Sequence, residues 1–336
     1  MNLNMGVFVI AEAGVNHNGS LDLAHRLCDE AKIAGADAVK FQTWKTENIV
    51  TRQAAMASYQ RDNLKEKRQS QYDMLKRLEL QYDDFRDLKR YCDRIGLCFL
   101  STPDDEESLD FLLALGMPFL KVGSGEVTNI PYLRRIGRSG AKVILSTGMA
   151  TLAEVDVAYR TLLTSGAEEV ILLHCTTNYP CPYDEVNLKA MQTLKAAFGC
   201  RVGYSDHTQG IAVSIAAVAM GAVVLEKHFT LDNEMEGPDH KASLNPGELR
   251  EMVQAVRQTE LALGDGFKRP KPSEMEISSV VRKRVVARRV IVCGEYFTEE
   301  NLTVKRCSEG FDAVHWDLFM GRQAQKNYDV DEPVWL

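Results

Sequence analysis

Short apolar runs rich in β-branched residues alternate along this chain with longer stretches whose apolar positions recur every three or four residues. The first pattern marks strands, whose side chains alternate faces, and the second marks amphipathic helices. Eight runs read as strands, at residues 7–13, 38–43, 97–102, 119–124, 142–147, 169–176, 201–205 and 223–229. Eight helical stretches are interleaved with them, at 21–34, 82–95, 106–115, 130–138, 152–164, 188–198, 211–220 and 246–263. Several helices run into a glycine, among them Gly35, Gly96 and Gly199, as the left-handed position after a helix favours. Eight β/α units in about 250 residues predict an α/β fold, a (β/α)8 TIM barrel. A doubly wound open sheet shares the alternation and is the runner-up.

Two stretches break the rhythm. Residues 46–76 are polar and rich in Gln, Lys and Arg, which predicts an extended βα loop with helical pieces that covers the site. The run GDGFKRPKPSEMEISS mixes prolines with both charges and reads as a linker. The expected organisation is a barrel over residues 1–266, a linker over 267–281 and a small β-rich domain over 282–336. That last domain carries the strand-like pieces VVARRVIV and LTVKR. A domain so small is expected to need the surface of another chain.

The net charge of −7 argues against general affinity for nucleic acid or an anionic membrane, but leaves room for a local basic pocket. The longest apolar stretch, residues 211–225, contains Ser214, is broken by Gly221 and is too short to span a bilayer. Only six residues precede the first apolar run, so no signal peptide is expected. Eight cysteines contain no C-x-x-C pair, which suits the reduced thiols of a cytoplasmic enzyme better than a zinc or disulfide frame.

In a (β/α)8 barrel the active site lies at the C-terminal strand ends. The unusual residues of this chain stand there. Glu12 ends the first strand, Lys40 and Gln42 the second, Lys121, Ser124 and Glu126 the fourth. Ser146 and Thr147 end the fifth, Ser205 and His207 the seventh, Glu226 and His228 the eighth. Spacing of two puts Lys40 with Gln42, Ser205 with His207, and Glu226 with His228 on common faces, as a polar barrel mouth requires. Burying an unpaired carboxylate is costly, so Glu12 is either salt-bridged to a lysine or functional. Lys40 and Lys121 have the matching structural reading, as partners of Glu12 and Glu226. His174 reads as a hydrogen-bonded core histidine, His17 as a turn residue or a second candidate beside Asn16, and His25 and His315 as surface or packing positions. Gly14 and Gly19 accompany no nucleotide fingerprint. Two lysines with the hydroxyls of Ser124, Ser146, Thr147 and Ser205 can surround a phosphate or carboxylate. His207 and His228 together suggest a metal with positions left open to polarise a carbonyl, and a nearby carboxylate can steer or deprotonate water. The residues themselves support a metal-dependent barrel lyase, aldolase or transferase acting on a phosphorylated small molecule. A binding protein with the same barrel has no use for polar groups at nearly every strand end.

The ordered motifs IAEAGVNHNGS, KFQT, FLSTP, KVGSGE, ILSTGMAT, LHCTTNYP, GYSDHT, EKHFT and GPDHKASL resemble those of the sialic acid (nonulosonate) synthase family over nearly the whole chain. The tail resembles that family's C-terminal SAF, or antifreeze-like, domain. The resemblance implies a condensation of phosphoenolpyruvate with an open-chain N-acetylmannosamine-type sugar, with phosphate released by C–O cleavage. It implies a divalent metal, Mn²⁺ with Mg²⁺ or Co²⁺ as substitutes, on His207 and His228. Lys40, Lys121, Ser124, Ser146, Thr177 and Ser205 would hold phosphoenolpyruvate. Gln42, Glu126, Tyr179, Asp239 and Arg306 would contact the sugar, with Glu12 beside the reacting carbons. Arg306 would reach the neighbouring subunit's site in a domain-swapped homodimer. The family often has Asn where Thr177 stands, which makes that contact a hydroxyl. It often reads KRPGNG where this tail reads KRCSEG, so the Pro-Gly turn after Arg306 is lost. NHNGS, KFQTW and GPDHKASL resemble N,N'-diacetyllegionaminate synthases closely. N-acetylneuraminate synthase is the alternative, and pseudaminate synthase comes third.

Overall fold

The computed structural model describes residues 6–56, 58–63 and 70–336. Met1–Gly264 form one compact unit and Asp265–Leu336 a second. In chain order the first unit contains β1 (Phe8–Gly14), α1 (Leu21–Ala34), β2 (Ala38–Thr43), α2 (Thr46–Ile49), α3 (Ser58–Asn63), α4 (Gln71–Leu78) and α5 (Tyr82–Ile95). It continues through β3 (Cys98–Pro103), α6 (Glu106–Leu115), β4 (Leu120–Val122), α7 (Ile130–Arg138), β5 (Lys142–Ser146), α8 (Leu152–Ser165) and β6 (Glu169–His174). It ends with α9 (Ala190–Phe198), β7 (Val202–Asp206), α10 (Ala212–Ala219), β8 (Val224–His228) and α11 (Pro246–Leu263).

The strands are parallel in the order β3-β2-β1-β8-β7-β6-β5-β4. Every strand lies beside its sequence neighbour and β1 also pairs with β8, an order that only closure produces. β3 and β4 pack against each other to complete the circle. The structure is therefore the barrel, not the open sheet. The helices start and stop on local chemistry. Ser20 accepts from the Leu23 amide at the start of α1, and Gly35, at φ 83°, takes the left-handed position that ends it. Thr151 with Glu154, and Asn245 with Glu248, form capping boxes on α8 and α11.

Inward side chains fill the barrel floor: Phe8, Ile10, Ala38, Leu100, Phe119, Ile144, Ile171, Leu173 and Val224 form one apolar cluster. Outward positions such as Val9, Val39, Phe99, Val143, Leu172 and Leu225 join the helices in the larger outer core. Residues 46–76 hold α2, α3 and most of α4, and positions 57 and 64–69 lie outside the described residues. Val15, Trp44, Met56, Met74 and Leu78 form a satellite core beneath this insertion.

The second unit contains α12 (Pro272–Val281), β9 (Lys283–Ala287) and β10 (Leu302–Arg306). β9 and β10 pair antiparallel, around a core of Val285, Ala287, Ile291, Phe297, Leu302, Phe319, Tyr328 and Val334. Most of the segment expected as a linker, 267–281, is the helix α12, whose proline sits at the helix start, where no amide donor is needed. The fourth strand is also shorter than expected, because Ser124–Glu126 turn into a 3-10 helix after Val122.

Candidate active site

On each strand the inward series runs from apolar floor to polar mouth. Phe8 and Ile10 lead to Glu12, Ala38 to Lys40 and Gln42, Phe119 to Lys121, Ile144 to Ser146, and Val224 to Glu226 and His228. Register brings them together. Glu12 stands opposite both Lys40 on β2 and His228 on β8, and Ser205 stands opposite Glu226. One cavity is lined by Glu12, Lys40, Gln42, Lys121, Ser124, Ser146, Thr177, Tyr179, Ser205, His207 and His228, all singled out from sequence.

Four charges form its base. Lys40 Nζ lies 2.8 Å from Glu12 Oε2 and 3.7 Å from Glu226 Oε2. Lys121 Nζ lies 3.5 Å from Glu226 Oε1. Lys40 also donates to Thr102 Oγ1 at 3.1 Å, Lys121 to Ser146 Oγ at 2.8 Å, and Gln42 to Glu12 Oε1 at 3.1 Å. Glu12, Lys40, Lys121 and Glu226 are all buried, so the cluster survives only because its charges compensate. Burial raises the Glu12 carboxyl above its usual range, more than Lys40 lowers it. Burial also acts on Glu226, but Lys121, Lys40 and the Ser205 hydroxyl outweigh it and hold that carboxyl low. Lys121 is lowered by burial. For Lys40 burial is outweighed by Glu12 and Glu226, which raise it.

Beside the lysines stand hydroxyls. Ser124 Oγ accepts from the Gly148 amide at 3.0 Å and lies 3.2 Å from Cys175 Sγ. Thr177 Oγ1 is buried without a hydrogen-bond partner. A side chain at Gly148 would put its Cβ 2.2 Å from Thr177 Oγ1 and 3.0 Å from Ser124 Oγ, so glycine alone lets these hydroxyls converge. Thr147, read from sequence with the other hydroxyls, instead donates to the Leu173 carbonyl at 3.0 Å and does not line this cavity.

The histidine rings are 5.6 Å apart between centroids, with Tyr179 4.2 Å from His207 and 5.5 Å from His228. His207 Nδ1 lies 2.7 Å from the Thr176 carbonyl, which fixes its proton there and leaves Nε2 with a lone pair. Ser205 Oγ is 3.3 Å from that Nε2, but its single proton goes to Glu226 Oε1 at 2.8 Å. His228 Nδ1 is buried without a hydrogen-bond partner, and the nearest acid is Asp239 at 3.9 Å. Burial lowers both imidazoles, His207 to about 4, so both are neutral. Among the described residues no group of three His, Cys, Asp or Glu side chains is placed to hold a metal ion. Two neutral imidazoles with an uncommitted nitrogen fit a divalent ion that takes its remaining ligands from substrate and water.

Three expected sugar contacts lie outside this lining. Glu126 accepts from Asn129 Nδ2 at 2.6 Å on the loop after β4. Asp239 is buried near His228, and burial raises its carboxyl to about 6. Its loop is held by Asn16, whose amide donates to Ser243 Oγ at 2.9 Å while Ser243 donates to the Asp239 carbonyl at 2.7 Å. The Asn/His stretch after β1 is thus a clamp on the loop after β8, and His17 is a turn residue, buried within it. Arg306 is exposed at the end of β10 in the second unit, opposite Lys283. Of the residues given other readings, His174 bonds the Val186 carbonyl and His25 pairs with Asp87. Lys227, pointing outward, is buried against Asp206 at 3.1 Å.

Glu226 pairs with both lysines, as the structural reading of Lys40 and Lys121 expects, whereas Thr102 and Asp104, which also line the cavity, were given no role from sequence. Strand parity signals Glu226. Asp104 lies on a loop and has no periodic signal.

A model of the NeuB family matches residues 27–268. The N,N'-diacetyllegionaminic acid synthase of Campylobacter jejuni is 50% identical over 97% of this chain and 98% of its own. Its namesake in Legionella pneumophila is 48% identical over 96% and 92%. The crystal structure of N-acetylneuraminic acid synthetase from Leptospira borgpetersenii, in complex with citrate, aligns with a TM-score of 0.71 at 36% identity, over 82% of this chain and 90% of that one.

Proposed function

The chain belongs to the NeuB family, and from that premise we propose that it is a nonulosonate synthase making N,N'-diacetyllegionaminate. Its substrates are phosphoenolpyruvate and 2,4-diacetamido-2,4,6-trideoxymannose. The observation that carries this reading is a buried double-lysine, hydroxyl-lined cavity beside a histidine pair, in a chain about half identical to two N,N'-diacetyllegionaminic acid synthases.

The anion goes where the donors are. Lys40 and Lys121 neutralise the phosphate and carboxylate of phosphoenolpyruvate, and Ser124, Ser146, Thr177 and Ser205 supply neutral donors around it. A divalent ion, Mn²⁺ by resemblance, held by His207 and His228 would supply Lewis-acid polarisation of the sugar aldehyde. Gln42, Tyr179, Glu126 and Asp239 orient the sugar so that its aldehyde carbon meets the methylene carbon of phosphoenolpyruvate. Carbon–carbon bond formation sends the carbonyl π electrons to the aldehyde oxygen, which ends as a hydroxyl with the proton the added water gives up, and leaves positive charge on the phosphate-bearing carbon. Water adds there, and the tetrahedral adduct expels phosphate by C–O cleavage to leave the 2-keto acid. Glu12, with its carboxyl raised by burial, sits beside His228 and Lys40 in register and takes or orients the proton of that water.

The second unit is read as the SAF domain of the family. In a domain-swapped homodimer its Arg306 would serve the partner subunit's cavity. α12 buries none of its own side chains, which leaves that helix available to a second copy. No helix of the described residues is long and apolar enough to cross a membrane, and an enzyme consuming phosphoenolpyruvate works in the cytoplasm.

The test is phosphate release by purified protein with Mn²⁺ and phosphoenolpyruvate. The diacetamido sugar is compared with N-acetylmannosamine under identical conditions. Release with the first at higher kcat/KM supports the reading. A preference for the second makes the chain an N-acetylneuraminate synthase. No release with either sugar refutes the synthase.

A further inference from the structure

Asp104 and Asp105 follow one another on the loop after β3, and their carboxylates have opposite fates. Asp105 caps α6: it accepts from the Ser108 amide at 2.9 Å, the Ser108 hydroxyl at 2.8 Å and the Lys45 amide at 2.7 Å. Asp104 lines the catalytic cavity and makes no side-chain hydrogen bond among the described residues. Only its backbone is engaged, with its amide donating to the Thr43 carbonyl at 3.0 Å.

The cation that acts on Asp104 is Lys40. Lys40 is already committed to Glu12 at 2.8 Å and Thr102 at 3.1 Å, and has Glu226 at 3.7 Å. Two of its protons are given to Glu12 and Thr102, and no Lys40 hydrogen bond reaches Asp104. A carboxylate with no donor is ordinary on an open surface, where water serves it. Asp104 is only partly exposed, and burial pushes its carboxyl up to about 7 despite Lys40, with Glu126 adding to the rise. A fully solvated rim acid would not move so far. Its carboxylate faces the cavity and takes no donor from the described residues.

We propose that Asp104 is a sugar-recognition residue: its carboxylate accepts a hydroxyl or amide N–H of the acceptor sugar and turns away sugars that carry a phosphate. This rests on the synthase reading above. Phosphoenolpyruvate cannot be the donor, because it is a polyanion and a carboxylate repels it. The neutral sugar carries several O–H and N–H groups and enters the same cavity. An acceptor-only anion rewards such donors and penalises an anionic substituent brought to the same wall.

The experiment measures steady-state kinetics of the full-length enzyme with Mn²⁺. Parent, Asp104→Asn and Asp104→Leu are compared on N-acetylmannosamine, its 6-phosphate and 2,4-diacetamido-2,4,6-trideoxymannose. Asp104→Leu should raise KM for the better neutral sugar about 10- to 100-fold, the range for losing a hydrogen bond to a charged group, and leave KM for phosphoenolpyruvate within about threefold. Asp104→Asn, which keeps the shape and an acceptor, should lose less on the neutral sugar. It should raise kcat/KM for the 6-phosphate relative to N-acetylmannosamine about tenfold. An unchanged sugar KM in Asp104→Leu overturns the proposal. So does an equal rise in KM for phosphoenolpyruvate, which would make Asp104 a counterion of Lys40. If the parent turns over no sugar at all, the synthase reading fails and this one with it.

Discussion

Glu226→Gln keeps a side chain's shape and removes one charge from the base of the cavity. The carboxylate serves two ammonium groups, at 3.5 Å from Lys121 and 3.7 Å from Lys40. At an effective dielectric of 20 each separation corresponds to about 4–5 kcal/mol of gross attraction. Against that loss, the variant no longer has to strip water from a carboxylate, which returns several kcal/mol. The Ser205 hydroxyl, now 2.8 Å from Glu226 Oε1, keeps an acceptor in the amide oxygen. The net loss is about 3–5 kcal/mol, the range for a buried pair that loses one partner. For a unit of this size, at about 2–3 °C per kcal/mol, melting should fall by about 6–15 °C.

The same charge count gives a second readout. With Glu226 neutral, Lys40, Lys121 and Glu12 leave one uncompensated positive charge, which phosphoenolpyruvate or phosphate can neutralise. Saturating phosphoenolpyruvate should therefore raise the melting temperature of the variant more than that of the parent. Differential scanning fluorimetry with and without the anion measures both. A variant that melts within about 2 °C of the parent, or gains no more from phosphoenolpyruvate, refutes the reasoning that Glu226 holds these lysines in the absence of substrate.

Other changes test the remaining parts of the cavity. Glu12→Gln should retain phosphoenolpyruvate affinity by calorimetry and lose about 100-fold or more in kcat, the ordinary contribution of a positioned acid or base; near-normal turnover would leave Glu12 a structural carboxylate. His207→Ala should weaken Mn²⁺ binding, followed by paramagnetic resonance, beyond the about 10- to 100-fold typical of losing an orienting partner alone, and unchanged affinity would refute the ligand assignment. Gly148→Ala puts a Cβ 2.2 Å from Thr177 Oγ1, so it should cost about 1–3 kcal/mol of stability or raise KM for phosphoenolpyruvate as the hydroxyls give way. If both quantities stay at parental values, Gly148 does not shape the anion pocket.

Much of the barrel was legible because its signals are local. The bounds of α1, α5, α6, α7 and α11 fall where the sequence pattern puts them, since caps such as Ser20, Asp105, Asn129 and Asn245 stand just before the apolar periodicity begins. Parity likewise placed Lys40 with Gln42 and Glu226 with His228 on inward faces. What was hidden depends on which strands become neighbours. Pairing of Lys40 and Lys121 with Glu12 and Glu226 is one reading the sequence offers, but that Glu226 serves both lysines depends on β8 closing on β1, which no window of sequence contains. Asp104 was hidden for a different reason: two adjacent aspartates look alike until one is seen to cap α6 and the other to face the cavity. The helix α12 was not legible because its prolines read as linker composition, although a proline at the first helical position is compatible with helix.

The cavity base also suggests how stability and reaction share the same groups. Without substrate, two lysines and two carboxylates balance, and the barrel can bury all four. In the proposed complex phosphoenolpyruvate brings its own negative charge to those lysines, so the carboxylates lose some of their hold when it enters. Glu226 is held low by three favourable partners and stays ionised. Glu12 is already raised by burial and depends most on Lys40 for compensation. When an incoming anion draws Lys40 away, the compensation of Glu12 weakens and its affinity for a proton rises further. That shift favours a base at the moment when a water beside it must give up a proton. The asymmetry between the two carboxylates, equal in chemistry and a strand apart, follows from how many donors each retains.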